Sequence, residues 1–170
     1  MAEAAGRAQA RNVLFLCTHN SARSVLAESL LGVLGHDRFR AFSAGSHPSG
    51  RVNPFAVELA RSIGYPAECI RSKSWDEFAV PGAPVMDLII TVCDDAAGEA
   101  CPVWPGHPAT AHWGFPDPSR AEGGDDAKRA AFHRVFGDIR RRIEALVDLP
   151  EDEFAPEKLR AALARIHAAS

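Results

Sequence analysis

Cys17 closes the apolar run Asn12–Cys17, and Arg23 follows six positions later with Ser24 directly behind it. A thiolate is a strong nucleophile, but a free cysteine with a pKa of about 8.5 is only a few per cent ionised at neutral pH. A guanidinium is a permanent, planar, forked donor suited to a tetrahedral oxyanion. Between the two lies the loop Thr18, His19, Asn20, Ser21 and Ala22, which leads from an expected strand into an expected helix. Backbone N–H groups at a helix start carry partial positive charge and make an anion cradle. The same field favours thiolate over thiol. Ser24 can donate to the sulfur and Asn20 can brace the loop. Thr18, His19, Asn20, Ser21, Ala22, Arg23 and Ser24 are therefore the candidate oxyanion-binding set around a Cys17 nucleophile. The competing reading, a core cysteine and a surface arginine, fits the bare spacing but not the strand, helix and serine around it.

A nucleophile that opens an oxyanion ester needs a general acid for the leaving oxygen. Asp117, between Pro116 and Pro118 in "FPDPS", is the candidate, although the same residues also make a plain turn. Cys93 ends a second apolar run, "MDLIITVC", and Cys101 lies eight residues on. That spacing matches neither a zinc knuckle nor a thioredoxin-type pair, so no metal is expected on these thiols or on His19, His107 or His112. In a helix the two Cα atoms would stand about 12 Å apart, whereas a disulfide needs them within roughly 7 Å. A Cys93–Cys101 bond thus requires an irregular segment, and Ala96, Ala97, Gly98 and Pro102 suit one. The expectation is a redox-switched loop.

These side chains need a frame. Asn12–Cys17 reads as a strand buried on both faces. Val25, Leu26, Leu30, Leu31 and Leu34 recur at helical spacing from Ser24, with Gly35 as the stop. Phe39–Ala44 reads as a second strand and Glu68–Ile70 as a short third. Asn53 caps a helix that has Pro54 at its first position and Gly64 at its end. Met86–Cys93 is the clearest later strand, and 101–124 reads as loops. Phe132, Val135, Phe136, Ile139, Ile143 and Leu146 mark a long helix, and Pro156 begins a last one. Arg140, Arg141 and Arg142 read as the solvated face of the long helix. Alternating strands and helices give an α/β class with a parallel sheet. Ligands bind such sheets at the strands' carboxyl ends, where Cys17 and Cys93 both fall.

The 170 residues fit one domain, preceded by a disordered lead-in over 1–10 and followed by a helical extension over 151–170. Hydrophobic residues make up 46% and charged ones 24%, with a net charge of −3. This gives no electrostatic footprint for nucleic acid or an anionic membrane. No apolar stretch has the length of a membrane span or signal core. The expected location is the cytoplasm, where thiols stay reduced, so Cys17, Cys69, Cys93 and Cys101 are not a disulfide framework. Cys69 is read as a structural thiol. Trp75, Trp104 and Trp113 are read as packing residues.

With these residues in place, the chain resembles the thioredoxin-coupled arsenate reductases, which have the low-molecular-weight tyrosine phosphatase fold. The likeness runs from about Val13 to Leu149 and is carried by "CTHNSARS", "SAGSHPSGRVNP", "RSKSWDEF", "ITVCDDAAGEACPVWPG" and "HWGFPDP". It implies a three-layer, four-stranded parallel sheet with helices on both faces. It also implies that Cys17 attacks arsenate while Asp117 helps water leave. Cys93 then attacks the Cys17 sulfur and expels arsenite, and Cys101 attacks Cys93, leaving a Cys93–Cys101 disulfide for an external thiol system. Thioredoxin is the implied donor. Glutaredoxin with glutathione, or mycothiol, is the alternative, because Cys93 and Cys101 stand one residue further apart than in the best-known thioredoxin-linked members. No cofactor is implied as required. Some members hold a potassium ion near the loop, and Asn20, Glu28 and Ser43 match part of that pattern, with no match for its remaining carboxylate; the ion is an optional structural one. The alternative activity is phosphoester hydrolysis by Cys17, Arg23 and Asp117 alone, and a third reading is a non-catalytic oxyanion sensor.

Overall fold

A computed structural model describes residues 10–93 and 108–168. The lead-in expected over 1–10 falls outside them except for Ala10, as do Cys101, Trp104, His107 and the switched loop expected between Cys93 and Cys101. The described strands are β1 (Arg11–Cys17), β2 (Phe39–Gly45), β3 (Leu88–Thr91) and β4 (Ala109–His112), all parallel, in the order β2-β1-β3-β4. The described α-helices are α1 (Arg23–Leu34), α2 (Pro54–Ser62), α3 (Asp125–Val147) and α4 (Pro156–Ala168).

β1 is central, and its unbroken apolar run follows from having two faces to bury. Val13, Phe15 and Cys17 point into a core built with Leu26, Leu30, Phe132, Ile139 and Leu163 from the helices. Leu14 and Leu16 point the other way, onto Trp75, Phe78, Met86 and Ile89. Trp75–Phe78 is a 3₁₀ helix that covers this second face. From β1 the chain runs to β2 on one side and later returns to β3 on the other. The order reverses between β1 and β3, so the crevice at their carboxyl ends is the switch point where α/β sheets bind ligands.

Three local readings change. Glu68–Ile70 is no strand: Pro66 precedes a 3₁₀ turn over Ala67–Cys69, closed by the Cys69 and Ile70 N–H groups on Pro66 and Ala67, and Cys69 is exposed. The strand read over Met86–Cys93 shortens to Leu88–Thr91, although Val92 N–H still reaches Leu16 O at 2.8 Å. Within the segment read as loops lies β4, "ATAH", whose two alanines carry little strand propensity. Pairing with β3, Leu88 to Ala109 through Thr91 to His112, makes it a strand.

Arg142 leaves the solvated face assigned to the arginine triplet. It is buried, its guanidinium stands 4.5 Å from the centre of the Phe115 ring, and burial lowers its pKa from the ordinary value. Asn53 caps α2 through the Phe55 N–H at 2.9 Å, as its sequence requires.

The segment beyond 150 packs on the same core. Phe154, Leu159, Leu163 and Ile166 join the helical-face cluster, and Trp113 Nε1 donates to Leu163 O at 3.2 Å. Leu163→Ala should therefore cost about 2–5 kcal/mol in urea unfolding, where a merely surface-laid helix would lose well under that.

Candidate active site

The loop 18–22 leaves β1 and enters α1 with its carbonyls turned outward. Thr18 O accepts from His47 N–H at 2.8 Å, His19 O from Ser49 N–H at 3.0 Å and Ser21 O from Asn53 N–H at 2.9 Å. Peptide planarity then turns the following N–H groups, those of His19, Asn20 and Ala22, the opposite way, as an anion cradle requires. Gly45, at the end of β2, lets the loop lie against the sheet. A Cβ there would stand 2.5 Å from Thr18 O and 2.9 Å from Asn20 N.

Cys17 sits buried at the mouth of this loop with its sulfur 2.8 Å from Ser24 Oγ. Asn20 Nδ2 donates to that hydroxyl at 2.8 Å, so the Ser24 proton is left for the sulfur. Cys93, also buried, lies at the adjoining strand end, 3.7 Å from Thr18 Oγ1 and near enough to Cys17 to bear on its pKa. Both are thiols, neither in a disulfide. The Cys93 contact pushes the Cys17 thiol well above its ordinary pKa; burial adds to this, while the Ser24 hydroxyl and N–H pull against it. The Ser24 groups that favour the thiolate thus act against a second thiol and burial.

Arg23 reaches across from α1. Its Nη1 donates to Phe115 O at 3.0 Å, and its Nη2 lies 3.6 Å from Asp117 Oδ2. Its Nε is buried and has no partner among the described residues, a donor that an oxyanion in the cradle would satisfy. Asp117 Oδ1 accepts from Ser119 N–H at 3.0 Å and from Ser119 Oγ at 2.7 Å, capping the 3₁₀ turn Pro118–Arg120. Burial raises the Asp117 pKa, but the Ser119 hydrogen bonds and the Arg23 and Arg120 charges outweigh it and hold the carboxyl below its ordinary value. Cys17, Arg23, Asp117 and Cys93 thus converge on one crevice. Cys101 lies outside the described residues, and His19 is exposed, with its carbonyl holding the loop.

Comparison with known proteins identifies the family of this fold. The description "low molecular weight phosphotyrosine protein phosphatase" matches residues 12–161. The chain belongs to that family. It is 38% identical over 136 residues to a protein named arsenate reductase from Halalkalibacterium halodurans, covering 80% of this chain and 94% of the relative. The solved arsenate reductase of Archaeoglobus fulgidus superposes with a TM-score of 0.62 at 31% identity, over 81% of this chain and 99% of that one. The thioredoxin-dependent arsenate reductase of Corynebacterium glutamicum gives 0.53 at 26%, over 82% of this chain and 63% of that one.

Beneath the anion loop of this phosphatase-family site runs a buried polar chain that reading the sequence only partly found. Asn20 Nδ2 also donates to Ser43 Oγ at 3.0 Å, and Ser43 Oγ donates to Glu28 Oε1 at 2.5 Å. The Tyr65 hydroxyl donates to the other carboxylate oxygen of Glu28, and burial, then the Glu28 charge, raises the Tyr65 pKa far above its ordinary value. Ser24, Glu28 and Gly32 share one face of α1 by their spacing of four. Gly32 makes room for the tyrosine, since a Cβ there would meet the ring at 2.6 Å. Tyr65, Gly32, Gly45 and the Phe115 carbonyl were missed because each acts through distant contacts that spacing does not encode.

Two measurements check this geometry. Forcing a methyl into such a contact costs about 1–3 kcal/mol, so Gly45→Ala should weaken phosphate binding, read by calorimetry, roughly tenfold or more. Because Cys93 is the first cause raising Cys17, Cys93→Ala should move the pH midpoint of Cys17 alkylation downward. An unchanged midpoint would show that the two thiols do not interact.

Proposed function

We propose that the protein reduces arsenate to arsenite. The observation that carries this reading is the pair of buried thiols, Cys17 and Cys93, at adjoining strand ends of the switch point, since ester hydrolysis has no use for a second thiol. The names of the relatives at 38% and 31% identity support it.

Arsenate would lie in the 18–24 cradle with the Arg23 guanidinium on its oxygens. The Cys17 thiolate attacks arsenic, an S–As bond forms, an As–O bond breaks, and the oxygen leaves as water with a proton from Asp117. The resting Asp117 is ionised. A bound dianion engages Arg23 and sets its own charge beside the carboxylate, and both effects raise the Asp117 pKa toward the protonated form needed. The Cys93 thiolate then attacks the Cys17 sulfur. The S–As electron pair passes to arsenic, which leaves as arsenite, and a Cys17–Cys93 disulfide remains. Cys101 attacks Cys93 and releases the Cys17 thiolate, and an external dithiol reduces Cys93–Cys101. The proposed donor is thioredoxin, as the name of the Corynebacterium relative supports; glutaredoxin with glutathione, or mycothiol, is the alternative. No described helix is long and apolar enough to cross a membrane, and a reducing cytoplasm would keep the relay charged.

The family description favours a second reading, a phosphatase using Cys17, Arg23 and Asp117. Against an aryl phosphate stands the burial of Trp113 and Phe115, at 1% and 6% exposure, which leaves neither ring as a platform beside Asp117.

Arsenate-dependent NADPH oxidation, with thioredoxin or glutaredoxin coupling supplied separately, tests both reading and donor. Cys101→Ser should end multiple turnover yet release one arsenite per enzyme. If instead Cys101→Ser leaves arsenate turnover intact, the relay is wrong. If only phosphoester turnover is seen, the phosphatase reading stands.

A further inference from the structure

Lys73 is a buried lysine beneath the anion loop, 8% exposed, and has no part in the site as described so far. Its N–H donates to Asn20 Oδ1 at 2.9 Å, and its carbonyl accepts from Gly45 N–H at 2.9 Å. The backbone is therefore pinned between the loop and the end of β2. Nζ donates to Arg71 O at 3.1 Å and lies 3.7 Å from Glu28 Oε1. Glu28, 5% exposed, is a buried carboxylate that needs a compensating charge. The nearby Arg71 is exposed and forms a two-pronged pair with Glu77. Burial lowers the Lys73 pKa from its ordinary value, and the Glu28 charge opposes that pull.

The resemblance offered potassium as an optional guest of Asn20, Glu28 and Ser43. These residues do not fit it. Asn20 Oδ1 is committed to the Lys73 N–H and Asn20 Nδ2 to two hydroxyls. The Ser43 proton faces Glu28, and both Glu28 oxygens accept hydrogen bonds. The ammonium already stands where a cation would meet carboxylate and carbonyl oxygen together.

We propose that the Lys73 ammonium is the resident cation of this site, a tethered replacement for a monovalent metal ion. Through Glu28, Ser43, Asn20 and Ser24 it holds the hydrogen bond on the Cys17 sulfur without touching substrate, so Lys73 is a positioning residue. The protein is accordingly indifferent to potassium, and removing the ammonium opens a site that potassium or ammonium ions fill.

Melting temperature and arsenate turnover are measured in potassium, ammonium and choline chloride at equal ionic strength. The activity arm rests on the proposed function. The melting arm does not, so the two can fail separately. The wild type should give the same melting temperature and rate in all three salts. A potassium-specific rise in the wild type overturns the proposal whatever the variants do. Lys73→Met should lose several-fold in rate and several degrees in choline, and regain much of both in potassium or ammonium, since an ion that binds only the folded state stabilises it. Glu28→Gln/Lys73→Met, which removes both charges together, should fold and ignore potassium. If Lys73→Met is obtained and responds no more to potassium than this double variant, or if it fails to fold in potassium and choline alike while the double variant folds, Lys73 is not standing in for an ion.

Discussion

The side-chain amide of Asn20 is the contact on which the site depends. The residue is fully buried and sits in the left-handed region at φ 49°, a conformation asparagine tolerates better than most. Its oxygen takes the Lys73 N–H, and its nitrogen serves Ser24 and Ser43. One planar group thus sets the path of the anion loop, the proton of the hydroxyl on Cys17 and the link to Glu28. Because the amide is inside, each of its partners is worth more, and each loss costs more, than at a surface. The loop is held from beneath by the buried Asn20 side chain and from outside by the hydrogen bonds to its Thr18, His19 and Ser21 carbonyls.

The second constraint is topological. Reversal of strand order between β1 and β3 leaves an open crevice at their carboxyl ends. Parallel register brings Leu16 beside Thr91, and the chain reaches the crevice one residue further on at Cys17 and two residues further on at Cys93. Two thiols far apart in the chain are therefore brought to one sheet edge. The cost is a Cys17 whose resting proton is held more tightly. The same neighbour that raises the Cys17 thiol places a second sulfur at the site.

Much of this could be read from the chain. The apolar run to Cys17, the helical spacing from Ser24 and the Asn53–Pro54 cap are local patterns with local causes, and α1, α2 and β1 follow them closely. "ATAH" could not be read as a strand because only pairing with β3 makes it one. Glu68–Ile70 was misread because a proline-led turn and a short apolar strand look alike without a sheet neighbour. Arg142 was misread because three consecutive arginines on a helix point in different directions, and one of them found Phe115.

The sequence by itself determined the chemistry available: a cysteine before a helix start, an arginine and an aspartate for an oxyanion, and further thiols at other places in the chain. Residue type and short-range spacing carry that information because nucleophilicity, charge and helix polarity are local properties. Only the tertiary structure decided which groups touch. It set Cys93 on Cys17, turned the loop carbonyls outward, gave Glu28 a tyrosine and a lysine, and buried Trp113 and Phe115. Those outcomes depend on strand order and on where a buried charge can find a partner, and both are settled only when the sheet and helices close on one another.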